Sequence, residues 1–205
     1  VGVSFDLFGT LVATERSGAP AAAVARELTA RDVSVPADWS EAYTEAHFEW
    51  TDGAECSLVD HVTAALESRD CGGPPGVIAE AVLAAFTAPV ETREGAHAAI
   101  AAASERGPVA VCSNCSVPGL VELTLERSTI STSVFDAVVT SVDCGWRKPS
   151  PAIFEETAVA LGCSLTNLVH IGDDPRTDRG IVDCGGRFYS PESMTAVPDW
   201  LEANG

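Results

Sequence analysis

From residue 93 onward, short apolar runs alternate with helical stretches, and this alternation limits the chain to one class of fold. A helix near Gly95–Ser104 precedes the run PVAVCS, and a second, carrying Leu120 and Leu123, precedes FDAVVTS. Pro151–Leu161 reads as a helix stopped by Gly162 and leads into LVHIGDD; a short segment around Arg176–Cys184 leads into GGRFYS. Apolar, β-branched runs of this length, bounded by helices, are strands buried on both faces of a parallel sheet. Strand–helix–strand repetition with right-handed crossovers predicts an α/β fold built on a doubly wound, Rossmann-like parallel sheet.

The first run, VGVSFDLF, breaks off at Gly9-Thr10 and belongs with the same sheet. No strand-like run follows until about residue 92; helix signals do. Pro20 opens a helix carrying Val24 and Leu28. Asp38 and Glu41 form an N-cap and capping-box pair, ahead of a face with Trp39, Tyr43, Ala46 and Trp50. Ser57 and Asp60 repeat the signal before Leu58, Val62, Ala65 and Leu66, and beyond CGGPPG the stripe Val77, Ile78, Ala81, Val82, Ala85, Phe86 marks another helix. The expected organisation is a core of residues 1–13 and 93–205, interrupted by an all-helical insertion over 14–92.

Charge narrows the partners. Thirty Asp and Glu stand against twelve Lys and Arg, a net charge of −18, and Lys148 is the single lysine. A surface this acidic repels phosphate backbones, which excludes nucleic acid. The acids are spread over the helices, and a near-absence of lysine points to a salt-adapted cytoplasm, where screening shortens to about 3 Å near 1 M salt. No apolar run is long enough to span a membrane, and no basic segment precedes the first strand, so neither a membrane partner nor a secretion signal is expected. Seven cysteines at scattered spacings read as free thiols; Cys112 and Cys115 form a C-x-x-C without a second Cys/His pair at zinc spacing. His47, His61, His97 and His170 read as structural or solvent-facing. Oligomeric state is not encoded in any pattern of the sequence.

In open α/β sheets ligands bind beyond the carboxyl ends of the strands. Here those ends carry Asp6-Leu7-Phe8-Gly9-Thr10, Ser113-Asn114, and Gly172-Asp173-Asp174 with Asp178 close behind, while a loop between the last two carries Arg147-Lys148-Pro149. A carboxylate, a hydroxyl, an ammonium and an acidic cluster thus meet on one edge. A carboxylate can attack an electrophile and form a covalent intermediate that water resolves. Acids from two strands can hold Mg²⁺, which takes oxygen ligands and keeps waters. A lysine and a hydroxyl can stabilise developing negative charge. Asp173 and Asp174 standing alone would serve equally as caps of the following helix; Glu15, Arg16 and Trp146 are candidate pocket walls by position.

DLFGTL (6–11), CSN (112–114), RKPSP (147–151) and GDDPRTD (172–178), in that order, resemble the four motifs of the haloacid dehalogenase-like superfamily of hydrolases. The resemblance covers both core segments and implies that the helical insertion is a cap. It implies Asp6 as nucleophile, Lys148 as charge stabiliser, and Gly9, Thr10, Ser113 and Asn114 as binders of the small-molecule substrate. It further implies Mg²⁺ held by Asp6, Asp173 and the backbone oxygen of Phe8, with Asp174 or Asp178 in support. Family phosphatases usually carry a second Asp, the leaving-group acid, where this chain has Phe8. Metal-free haloacid dehalogenases typically carry Tyr there, but also a Tyr at the position of Phe154, a Ser/Asn-rich fourth motif and an early cap Arg, for which Arg16, Arg26 and Arg31 are loose candidates. The expectation is a Mg²⁺-dependent phosphatase of a small phosphorylated metabolite; the alternatives are a 2-haloacid dehalogenase and a degenerate, non-catalytic binding member.

Overall fold

A computed structural model describes residues 1–15, 18–49 and 51–204. The chain runs β1 (Gly2–Phe5), β2 (Val12–Thr14), α1 (Pro20–Thr29), α2 (Trp39–Thr44), α3 (Leu58–Glu67), α4 (Pro75–Phe86), β3 (Val90–Thr92), α5 (Ala96–Ser104) and β4 (Val109–Ser113). It continues through α6 (Leu120–Arg127), β5 (Ala137–Thr140), α7 (Ser141–Cys144), α8 (Pro151–Ala160), β6 (Leu168–Ile171), α9 (Gly180–Asp183), β7 (Arg187–Tyr189) and α10 (Val197–Asn204). No helix among the described residues is long and apolar enough to cross a membrane.

Five strands form a parallel sheet in the order β5-β4-β1-β6-β7, with Phe5 in register with Val111 on one side and Ile171 on the other. The fold class is therefore the expected doubly wound α/β sheet. Strand alternation divides its faces. Val3, Phe5, Val109, Val111, Val169 and Ile171 join a cluster shared with α5, α10 and the interior of α1–α4. Ala110, Cys112, Val139 and Leu168 face a second cluster under α8 and α9, around Ile153, Phe154 and Ile181. The winding reverses between β1 and β6, and a crevice opens at the carboxyl ends of the strands on either side of such a switch. Asp6 follows one of these strands and Asp173 the other.

The helices between residues 20 and 86 bury the stripes read from the sequence: Val24 and Leu28 in α1, Val62, Ala65 and Leu66 in α3, and Ile78, Ala81, Val82 and Ala85 in α4. The Ser57 hydroxyl caps α3 by accepting the Asp60 N–H. Two expectations need correction. Asp38 makes no cap bond to α2, because Arg69 Nε donates to its carboxylate at 2.8 Å and takes the acceptor the capping box would use. That helix stops at Thr44, which leaves Ala46 exposed outside it rather than on its buried face, while Trp50 lies outside the described residues. A third feature was not expected at all. β2 and β3 pair antiparallel, Val12 opposite Thr92, and form a two-stranded ribbon through which the chain leaves and re-enters the sheet.

Candidate active site

Phe5 ends β1, but its ladder continues one step further, with Asp6 N–H donating to the Ile171 carbonyl at 2.9 Å. This places the Asp6 side chain at the switch point. The turn that follows needs Gly9, which sits at φ +101°; a Cβ there would lie 2.5 Å from Asp173 Oδ2. Glycine thus allows backbone and carboxylate to touch. Thr10 completes the seat, its hydroxyl donating to Asp173 Oδ1 at 3.0 Å. Gly172 plays the same part on β6, since a Cβ there would lie 2.2 Å from Asp178 Oδ2.

Lys148 is the centre of the arrangement. Its buried ammonium donates to Asp6 Oδ1 at 2.8 Å, Asp178 Oδ1 at 2.6 Å and the Cys112 carbonyl at 2.9 Å. Its loop is fastened by Asn114, whose side-chain amide accepts the Lys148 N–H at 2.7 Å and donates to the Lys148 carbonyl at 2.9 Å. Burial opposes the lysine's charge, but the two carboxylates outweigh it and hold its pKa above the ordinary value. Burial also pushes Asp6 up; Lys148 pulls it down, Asp178 and Asp173 push it up again, and the net direction is upward. Asp178 goes the other way: burial pushes it up, but hydrogen bonds from His170 and Lys148 and the charge of Lys148 overcome this and hold it well below the carboxylate range.

His170 is a site residue that sequence reasoning passed over as structural or solvent-facing. It is fully buried, with Nε2 3.2 Å from Asp178 Oδ1 and 3.4 Å from Lys148 Nζ, and Nδ1 2.9 Å from the Ser4 hydroxyl. The three ammonium protons are already used, so Nε2 carries the hydrogen and donates to Asp178, while Nδ1 accepts from Ser4. Burial, reinforced by the Lys148 ammonium, brings the imidazole down to about 4, so it is neutral at physiological pH.

A cavity of about 1320 Å³ opens in front of this cluster, and Asp6, Phe8, Gly9, Asn114, Lys148, Asp173, Asp174 and Asp178 all contribute to its wall. Ser113 does not. Its hydroxyl is sealed behind the wall and is the one buried side-chain polar atom without a hydrogen-bond partner among the described residues. The two candidate supporting acids separate. Asp178 is the Lys148 partner, whereas the Asp174 carboxylate is taken by Arg176 Nε and Nη2 at 3.0 and 2.9 Å. Among the position-only candidates Glu15 lines the cavity, Trp146 instead pairs with Ala54, and Arg16 lies outside the described residues. No group of three or more His, Cys, Asp or Glu side chains among the described residues is placed to hold a metal. A set of two carboxylates, Asp6 and Asp173, with the Phe8 carbonyl and waters is the composition a hard oxygen-seeking cation such as Mg²⁺ accepts. Cys112 and Cys115 are both pushed up to about 11 by burial, so both are protonated, inert thiols at neutral pH.

Glu55 was missed as well. It lies between α2 and α3, yet its side chain is only 3% exposed. The carboxylate accepts from Ser141 Oγ at 2.6 Å and Ser116 Oγ at 3.0 Å, and Ser141 Oγ in turn accepts the Cys115 N–H at 2.8 Å. Backbone pairing continues the seam: Arg147 N–H donates to the Gly53 carbonyl at 3.0 Å and Glu55 N–H to the Gly145 carbonyl at 2.9 Å. The helical segment is thereby tied to the loops that carry Asn114 and Lys148. Glu55→Ala takes the acceptor from the buried Ser141 hydroxyl and the half-buried Ser116 hydroxyl and is expected to cost about 1–3 kcal/mol, with Glu55→Gln restoring part of it. Denaturant unfolding of both variants checks this; an Ala variant as stable as the parent would mean the seam is held by backbone alone.

A family model for haloacid dehalogenase-like hydrolases matches residues 2–180. Among solved structures, a 2-haloacid dehalogenase from Pseudomonas syringae pv. Tomato DC3000 is similar at TM-score 0.69 and 18% identity, covering 100% of this chain and 99% of that one. CbbY from Rhodobacter sphaeroides, in complex with xylulose-(1,5)bisphosphate, aligns at TM-score 0.59 and 20% identity over 95% and 87% of the two chains. An enzyme of the same family from Bacteroides thetaiotaomicron, in complex with magnesium and inorganic phosphate, aligns at TM-score 0.62 and 14% identity over 94% of each. At these identities the likeness is one of fold, and it includes phosphate-binding and dehalogenating proteins alike. A comparison with curated proteins gives no match. The motif match over most of the sequence decides the family: this chain is a haloacid dehalogenase-like hydrolase.

Proposed function

We propose that this hydrolase is a Mg²⁺-dependent phosphatase of a small phosphorylated metabolite, with Asp6 as nucleophile and helices α1–α4 as its cap. The observation that carries the reading is that Asp6 and Asp173, which follow the two strands at the β1/β6 switch, line one cavity, with Lys148 bonded to Asp6. Asp6, Asp173 and the Phe8 carbonyl would hold the cation, which when bound offsets repulsion between the nucleophile and an anionic substrate. A metal-free dehalogenase has no use for a second strand-end carboxylate seated this carefully by Gly9 and Thr10.

Asp6 attacks phosphorus; the bond to the ester oxygen breaks, and its electron pair leaves with that oxygen. Lys148 keeps Asp6 oriented and neutralises part of the charge on the transferred group. A water oxygen then attacks phosphorus, releasing phosphate and returning the Asp6 carboxylate. Phe8 can neither protonate the departing oxygen nor activate the water, so the proton comes from solvent and good leaving groups are favoured.

The test is phosphate release from p-nitrophenyl phosphate at high salt, which suits the proposed salt-adapted cytoplasm. Release is expected with Mg²⁺, lost in excess EDTA and restored by adding Mg²⁺ back. Phe8 favours one second reading, a metal-independent 2-haloacid dehalogenase on the same nucleophile. Halide release from 2-chloropropionate in EDTA, without phosphatase activity in Mg²⁺, would replace the first reading with the second.

A further inference from the structure

The cavity is far larger than a phosphoryl group needs, and its charge differs from that of the rest of the protein. Five of the twelve cations, Lys148 and Arg93, Arg127, Arg147 and Arg176, line it, matched by an equal number of carboxylates in a chain of net charge −18. Two of the arginines are already engaged: Arg176 with Asp174, and Arg147 within 4.0 Å of Glu55. Arg93 and Arg127 differ. Neither guanidinium makes an ion pair or a hydrogen bond among the described residues, although acids outnumber bases by more than two to one. The segments that carry them are fastened together, Thr129 N–H and hydroxyl both lying 3.0 Å from Thr92 Oγ1.

The segments that carry this pair and those next to them give the cavity an apolar part of its wall, with Thr87, Ser116 and Thr124 among the hydrocarbon side chains. Leu120 and Leu123 line the cavity from α6, which begins beside the Asn114 loop and ends at Arg127; Phe86 and Pro89 line it too. At 1.5 Å per residue, Arg127 stands about 10 Å further along the helix axis than Leu120. We infer that the cavity binds a phosphomonoester whose organic part is an apolar spacer ending in a second anionic group, held by Arg93 and Arg127. Planar guanidinium forks without a protein partner are suited to a carboxylate, and the apolar share of the wall, Phe86, Pro89, Leu120 and Leu123, suits a spacer with few hydroxyls. This substrate class rests on the phosphatase reading, but the anion subsite itself is a matter of binding.

The test therefore has two arms. In the first, affinities of 4-carboxybenzylphosphonate and its neutral near-isostere 4-carbamoylbenzylphosphonate, neither of which can be hydrolysed, are measured by calorimetry with Mg²⁺ present. The carboxylate is expected to bind about tenfold more tightly, and Arg93→Gln and Arg127→Gln are each expected to reduce that preference to about twofold. Both arginines are exposed, so neither change threatens the fold. In the second arm, kcat and KM are measured for the corresponding phenyl phosphates, 4-carboxyphenyl and 4-carbamoylphenyl phosphate, whose phenolates are both good leaving groups. The preference should lie in KM. Equal affinity for the two phosphonates, or a preference unmoved by either substitution, overturns the subsite whatever the kinetics. A preserved, arginine-dependent preference without turnover of either ester supports the subsite and overturns the phosphatase reading alone.

Discussion

Asp6→Asn is expected to abolish turnover, by about 10³-fold or more, while leaving the protein at least as stable as the parent at neutral pH. The two halves of this expectation have one cause. Asp6 is placed where its ionised form is reactive, and burial makes that form costly, so its folded pKa lies above the ordinary value. An acid whose folded pKa is raised disfavours the native state whenever it is ionised. The penalty is fully present above the folded pKa and fades as pH falls through it toward the unfolded value of 3.8. Asparagine keeps the shape and removes the charge, and Lys148 retains Asp178. Thermal unfolding of both proteins across pH should therefore show Asn at an advantage at pH 7–8 that shrinks on acidification. A variant that is inactive and clearly less stable at neutral pH would mean that the Lys148 contact outweighs burial and that the site is not poised in this way. Residual turnover near the parent level would remove Asp6 from the role of nucleophile.

Much of this site was legible in the chain because its parts stand at strand ends. A buried parallel strand reads as an apolar run, and whatever polar residue stops the run is the residue the sheet delivers to its edge. Asp6 and Asp173 were found by that logic, and the fold class followed from the repetition alone; Lys148, in a loop beyond β5 and α7, stood out because it is the only lysine. The residues that were missed have the opposite character. His170 sits inside the apolar run LVHIGDD, where one polar residue looks like a flaw in a strand rather than a member of a network. Its partners Ser4, Lys148 and Asp178 come from three other places in the chain. Glu55 is one acid among thirty, and its contacts reach 61 and 86 residues ahead, beyond anything periodicity can see. The β2–β3 ribbon escaped because three-residue strands carry no alternation to read, and their pairing spans the whole helical segment. Asp38 shows the converse error: the capping signal was present, but a long-range arginine competed for the same carboxylate and won. The arginines Arg93 and Arg127 belong with the missed residues, since only folding brings their segments together.

The second large effect concerns Lys148. Lys148→Met removes a buried ammonium that serves two carboxylates and a carbonyl at once, and it strands Asp6 and Asp178 in a wall that gives them little water. Breaking a buried ion pair from one side costs about 3–5 kcal/mol, because the charge left behind has lost its partner. Turnover should fall with it, since the nucleophile loses its orientation. The pH dependence separates this account from simple loss of packing. With Lys148 in place, Asp178 is held well below its unfolded value of 3.8, so it stabilises the fold above that value and loses this only in strong acid. Without the lysine, both carboxylates shift upward and take up protons more readily in the folded state. His170, released from the ammonium that helps hold it near 4, is free to become the replacement cation. The stability gap between parent and Lys148→Met should thus be widest at pH 7–8 and close steadily as pH falls. Adding Asp178→Asn to Lys148→Met should recover part of the loss at neutral pH, and the double-mutant cycle should return a coupling of about 1–3 kcal/mol between the two positions. A gap that does not change with pH, together with additive single effects, would show that Lys148 acts here as a space-filling side chain rather than as the counter-ion of Asp6 and Asp178.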